Sequence, residues 1–274
     1  MCVPGCHAVL HERLSRRGFF KGSAALTATA VAATVTAREA AAKTANTFHK
    51  VVDLSHTLTP DFPTYIPDWA LQVEQLTNFA ENGFNARRYT MVEHCGTHLD
   101  APLHFSADGL SADEIPLDDL VLPLAVIDVR AKAAENADYE LTPDDLAAWE
   151  KENGEIPEGA CVAMNSGWGG KAPGKGFANR DDEGVLHFPG FHVEATKMLM
   201  EDRGAVGMAS DTLSLDHGAS STFETHYAWL PSGRWGIECI AGLDDVPASG
   251  ATIVVAAPKI AGGTGGNCRI MALV

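Results

Sequence analysis

His94-Cys95-Gly96-Thr97-His98-Leu99-Asp100-Ala101-Pro102-Leu103-His104 gathers three imidazoles and one carboxylate into a single short stretch of chain. Histidine is the commonest side-chain metal ligand, and aspartate adds the hard oxygen that turns a histidine pair into a divalent-cation site. Such groups cannot all be buried unpartnered, because each loses hydration. A shared cation satisfies several at once, so the segment reads as a metal-binding motif. A divalent cation lowers the pKa of bound water to near 7 and polarises a carbonyl, and a nearby histidine can carry the proton. Those parts suit hydrolysis of an amide, formamide, cyclic imide or lactone, and by themselves suit no redox chemistry. His104, beyond Pro102, is read as that proton carrier. The alternative for it is a further metal ligand.

The local structure must hold these groups. His94 and His98 would share a face of a helix, but Gly96 lies between them and Pro102 follows, and both residues oppose helix. Arg88 to Glu93 has strand character. The motif is therefore expected at a strand end running into a tight loop, with Gly96 bending the backbone and Ala101-Pro102 stiffening the exit.

Around it, Val51 to Leu58 reads as a first strand, and Ala70–Leu76 with Ala86–Glu93 as a hairpin about Asn82-Gly83. Leu124 to Val129 is an apolar run expected to be a buried strand. Thr142-Pro143-Asp144-Asp145 is a helix start that Gly154 ends. Cys161–Met164, Ala205–Ala209, Thr252–Ala256 and Arg269–Val274 are further strands, and Val193–Asp202 a further helix. Glycine-rich Ser166 to Gly184 is an insertion expected to act as a lid or subunit contact. Strands interleaved with a few helices indicate a mixed α/β domain with a largely β core.

The motif matches the H-x-G-T-H-x-D-x-P-x-H signature and resembles the cyclase family, which includes bacterial kynurenine formamidases and isatin hydrolases. Val52-Asp53-Leu54-Ser55-His56 is similar to that family's opening strand, and Asp211-Thr212-Leu213-Ser214-Leu215-Asp216 to its D-T-x-S-x-D segment. The resemblance implies a swivelling β/α/β fold and a metal-dependent hydrolase with zinc or manganese, one or two ions per chain. It implies His94, His98 and Asp100 as ligands of a first ion. A second ion would take His226, with Asp100 and Glu238 bridging. It also implies His104 as the acid/base. Family formamidases carry a tryptophan after the proline of the opening segment; here Pro63 precedes Thr64 and Tyr65, so Tyr65 is the expected substrate contact. Phe62, Trp69 and Trp168 could complete an aromatic wall, although each such residue more often belongs to a core. Asp211 and Asp216 could orient ligand histidines or cap turns. His187, His192 and His217 receive no role.

The rest of the chain bounds the partners. Leu14-Ser15-Arg16-Arg17-Gly18-Phe19-Phe20-Lys21 and the apolar region after it resemble a twin-arginine signal over 1–42, leaving a hydrolase domain over 43–274 and a periplasmic or otherwise exported protein. A net charge of −16 opposes binding to nucleic acid or anionic membranes. The partner is a small-molecule substrate, and the resemblance implies a homo-oligomer, dimer or tetramer. Cys95, Cys161, Cys239 and Cys268 read as structural thiols. Two rival functions remain: an exported metal- or ligand-binding protein of the same fold without catalysis, and a carbon–carbon-forming cyclase.

Overall fold

The central strands of the main sheet are buried on both faces, and the alternation of their side chains shows how. A computed structural model describes residues 48–274; the leader expected at 1–42 lies outside them. β1 (Val51–Asp53) is followed by a hairpin of β2 (Gln72–Thr77) and β3 (Ala86–Thr90), with a one-turn helix α1 (Phe79–Asn82) at its tip. Then come β4 (His98–Asp100), a 3-10 turn at Pro102–Phe105, and β5 (Val121–Asp128). Helix α2 (Arg130–Glu135), β6 (Glu140–Leu141), helix α3 (Pro143–Asn153) and β7 (Cys161–Asn165) follow. Next are β8 (Gly190–Phe191), helix α4 (Val193–Glu201), β9 (Gly207–Ser210) and helix α5 (Glu224–Trp229). β10 (Trp235–Glu238), β11 (Ala251–Ala256), β12 (Gly265–Asn267) and β13 (Arg269–Leu273) come last.

Nine strands pair in the order β1-β13-β11-β5-β7-β9-β10-β4-β12. β5, β7, β9 and β10 run parallel, and the flanking pairs are antiparallel. The sheet curls: Ser55 bridges Ile240, and Ala241 N–H donates to Leu54 O at 2.9 Å. Within β5, Leu124 and Val126 join one core while Ala125 and Ile127 join the other. That is period-two packing with both faces covered. The second core takes Leu146 and Trp149 of α3, Leu199 of α4 and Trp229 of α5.

Most of the expected strands and helices recur within a residue or two, as termini usually do, but the first strand, expected to reach Leu58, ends at Asp53, and β5 starts three residues early at Val121. α3 starts on a Thr142–Asp145 capping box with Pro143 in the first turn, as the sequence predicts. Two other expectations change. β3 stops at Thr90, so the bend spans the residues after it, and His98 to Asp100 form a strand of their own rather than a loop. The insertion is no free lid: its Trp168 and Phe177 are buried in a third apolar cluster with Phe62, Phe188 and Leu213. No helix among the described residues is long and apolar enough to cross a membrane.

Candidate active site

β4 runs between β10 and β12, which sets His98 opposite Glu238 and Asn267, and Asp100 opposite Gly236 and Gly265. Successive strand side chains point to opposite faces, so His98 and Asp100 share one face while Leu99 enters the core. Glu238 meets them from the neighbouring strand. Gly96, at φ +67°, turns the chain so that His94 joins the same point; a Cβ there would lie 2.8 Å from Leu58 Cδ1. Helix α5 delivers His226, and the 3-10 turn after Pro102 delivers His104.

Asp100 is the hub. Its Oδ1 lies 2.7 Å from His94 Nδ1 and 3.3 Å from His98 Nε2, and its Oδ2 lies 3.7 Å from His226 Nε2. Glu238 stands 3.3 Å from His98 Nε2 and 3.1 Å from His226 Nε2. The outward nitrogens are already committed. His98 Nδ1 donates to Gly96 O at 2.8 Å, and His226 Nδ1 to Asp216 Oδ2 at 2.5 Å. In its neutral form each ring thus turns a bare Nε2 toward the carboxylates. His98 Nε2 and Asp100 Oδ2 are buried and make no hydrogen bond. Bare nitrogens facing carboxylate oxygens are mutually repulsive until a cation or protons lie between them. The ligand atoms of His98, Asp100 and Glu238 all lie within 4.8 Å of one another, as do those of His94, Asp100 and His104. These residues fit a divalent cation, by donor type and by the orphaned atoms alike.

The titrations follow. Burial alone would raise Asp100, but His98, His226 and His94 outweigh it and hold the carboxyl well below the usual range. Burial and Asp100 push Glu238 up; His226 and His98 overcome them, and it too is lowered. Burial would lower His98 and His226, yet the facing carboxylates raise both well above the ordinary histidine value. His104 differs. Burial pushes it down to about 4, with His94 and His226 adding to the effect. It is neutral at pH 7 and can accept a proton.

The groups open on a cavity of about 210 Å³ lined by Tyr65, Trp69, Phe105, Leu213 and Phe223. Burial, then the Glu238 charge, raises the Tyr65 phenol, which stays an O–H donor. Tyr65 and Trp69 sit where a substrate wall was expected. Phe62 and Trp168 do not; both pack in the third cluster. Asp216 fills both roles open to it, binding His226 and accepting Thr225 N–H at the start of α5. Asp211 orients no ligand. It accepts from Ser166 and from the N–H groups of Trp168 and Gly169, and anchors the insertion. The described cysteines are all buried and free. Three contributors escaped the sequence reading. Phe105 lies against His226 at 4.6 Å between ring centroids, Phe223 lines the cavity from a left-handed backbone at φ +51°, and Thr264 bonds His94. Only the glycines around Thr264 hinted at a close approach.

The Cyclase family model matches residues 52–217. Isatin hydrolase of Roseibium aggregatum is 33% identical over 244 residues, covering 82% of this chain and 92% of that protein. Kynurenine formamidase of Erythrobacter litoralis is 29% identical, covering 80% and 92%. Among solved structures, isatin hydrolase A from Labrenzia aggregata superposes with a TM-score of 0.78 at 37% identity, covering 82% of this chain and 93% of that one. A potential metal-dependent hydrolase with cyclase activity gives 0.62 at 27%, covering 81% and 96%. The family match takes in more than half of the sequence, and these relatives align along most of it: the chain belongs to the cyclase family of metal-dependent hydrolases.

Proposed function

We propose that this enzyme hydrolyses the acyl C–N or C–O bond of a small aromatic amide, formamide, cyclic imide or lactone. One observation carries the reading: bare imidazole nitrogens converge on two shared, buried carboxylates beside an aromatic cavity and a neutral His104. The cation is zinc or manganese, one or two per chain, held by His94, His98, Asp100, His226 and Glu238. When bound, a divalent cation polarises an acyl carbonyl and acidifies water. His104 would accept a proton from the attacking water on a ring nitrogen and give it to the leaving nitrogen or oxygen. Tyr65, Phe105 and Phe223 hold the aromatic ring, and Tyr65 offers a hydrogen bond. The rings also exclude bulk water, which strengthens every charge interaction inside.

The test is elemental analysis of purified protein, followed by turnover assays on formanilides, isatin, lactones and cyclic imides. Zinc or manganese with turnover of one class is the expected result. Protein that refuses both metals ends the hydrolytic account. A cation with tight ligand binding but no turnover of any class would favour the binding-protein reading.

Two further expectations belong here. The hairpin of β2 and β3 exposes Phe79, Phe84 and Tyr89, and a lone two-stranded hairpin is marginal in water. Both facts support a homo-oligomer built on that arm. Light scattering on Phe79→Asp/Phe84→Asp should show smaller particles than the parent. The Arg16-Arg17 pair supports export, which cell fractionation of the Arg16→Lys/Arg17→Lys variant tests; unaltered delivery would count against it.

A further inference from the structure

His94 differs from its companions in the nitrogen it offers. His98 and His226 turn Nε2 inward, whereas His94 turns Nδ1 inward, 2.7 Å from Asp100 Oδ1. Its Nε2 points outward to Thr264 Oγ1 at 3.0 Å. The Thr264 hydroxyl has one proton, and Glu93 claims it: Thr264 Oγ1 donates to Glu93 Oε2 at 2.5 Å, and Thr264 N–H donates to the same oxygen at 3.2 Å. Toward His94 the hydroxyl can then only accept. Nε2 must carry the hydrogen, so in the neutral ring Nδ1 is the nitrogen left with a lone pair toward Asp100.

The backbone is shaped for this contact. A Cβ on Gly265 would stand 2.8 Å from His94 Cε1 and 2.4 Å from Leu99 O, so only glycine lets the strand lie against the ring. His94 in turn stacks on His104, centroids 3.8 Å apart and planes 22° apart. The ring that Thr264 holds is therefore also the surface on which the proton carrier rests.

We propose that Thr264, pinned by Glu93, is a positioning residue that fixes the tautomer and ring plane of His94 so that Nδ1 is its metal-binding atom. This rests on the cation reading above. Such outer partners commonly govern metal affinity by about 10–100-fold. Without the hydroxyl, a buried Nε2–H loses its acceptor and the ring is free to turn.

The experiment measures zinc affinity by chelator competition for the full-length protein and for Thr264→Val, Thr264→Ser and Glu93→Ala. Imidazole ¹⁵N shifts of the zinc-loaded parent are read alongside. Thr264→Val should bind zinc about 10–100-fold more weakly, Thr264→Ser should restore affinity to within about threefold, and Glu93→Ala should fall between. His94 should show zinc on Nδ1 and hydrogen on Nε2. Should Thr264→Val fail to fold, Glu93→Ala and the parent spectrum decide alone. Valine or alanine variants that match the parent, or zinc on His94 Nε2, would overturn the inference while leaving the metal site standing. A parent that takes neither zinc nor manganese overturns the site itself, and this inference with it.

Discussion

Histidines meet carboxylates in two regions of this molecule, in two different geometries. At the surface, His187 lies between Asp138, 2.7 Å from its Nδ1, and Asp181, 3.3 Å from its Nε2. The ring separates the two carboxylates, and each nitrogen takes a proton. Asp138, then Asp181, accordingly raise its pKa. In the buried centre the carboxylates are shared: Asp100 alone faces His94, His98 and His226. The outward nitrogens of His94 and His98 are spent on a hydroxyl and a carbonyl, so their inward nitrogens stay bare. Carboxylates raise the histidine pKa in both regions, but only the convergent one brings several donor atoms to a point where a single cation can take the place of the protons. Residue type does not distinguish the two regions. Direction and burial do.

The sharpest way to break that contrast is His98→Ala. It should abolish both metal content and turnover, measured by elemental analysis and by assay on the parent's best substrate. Retained stoichiometric metal with activity would dissolve the distinction. Next comes His104→Ala, which should keep its metal and lose about 10²–10⁴-fold in kcat. Metal loss there would make His104 a ligand instead. Because burial lowers His104 to about 4, its neutral form persists above that value. The acid limb of kcat/KM should therefore fall below about pH 5, well under an ordinary histidine; a limb at the ordinary value would mean that solvent reaches the ring.

Asp216→Asn sharpens the comparison more gently. It keeps the shape but weakens the hold on His226, and zinc affinity should drop about 10–100-fold by chelator competition. The smallest effect lies at the surface. His187→Gln should leave metal content and turnover at parental levels and shift Tm by about 3 °C at most. Its sign is fixed by the raised pKa: stabilisation is complete below the unfolded value and is lost as pH rises through the folded one. Melting at about pH 6 and pH 8.5 should show that pH difference shrinking in the variant. A large loss of metal on this change would mean that the two regions are coupled.

Much of this was legible in the chain. The apolar run from Leu124 predicts β5, Thr142-Pro143 predicts the start of α3, and the eleven-residue motif places the cation. The resemblance also marked His226 and Glu238, for which the residues alone give no signal. The rest needed contacts over long separations. Glu238 reaches His98 through the register of β10 on β4, and Thr264 reaches His94 from 170 residues away. For Phe62 and Trp168 the sequence leaves wall and core both open, because aromatic type is the same in each, and the fold puts both in the core. For Asp211 the sequence leaves two roles open, because a carboxylate serves a histidine or a row of backbone N–H groups equally well, and the fold gives it the second.

By itself, the sequence determined which chemistry is available. Histidine and aspartate at those spacings, a glycine to bend the chain and a proline to stop it are local facts, and local sterics obey them. Only the tertiary structure decided which nitrogen of each ring stays bare. That choice depends on what stands behind the ring, and the partners there come from another strand, another helix or a carbonyl folded back across the turn. A hydrogen bond is directional, so a partner's position, which no spacing encodes, sets where the lone pair points.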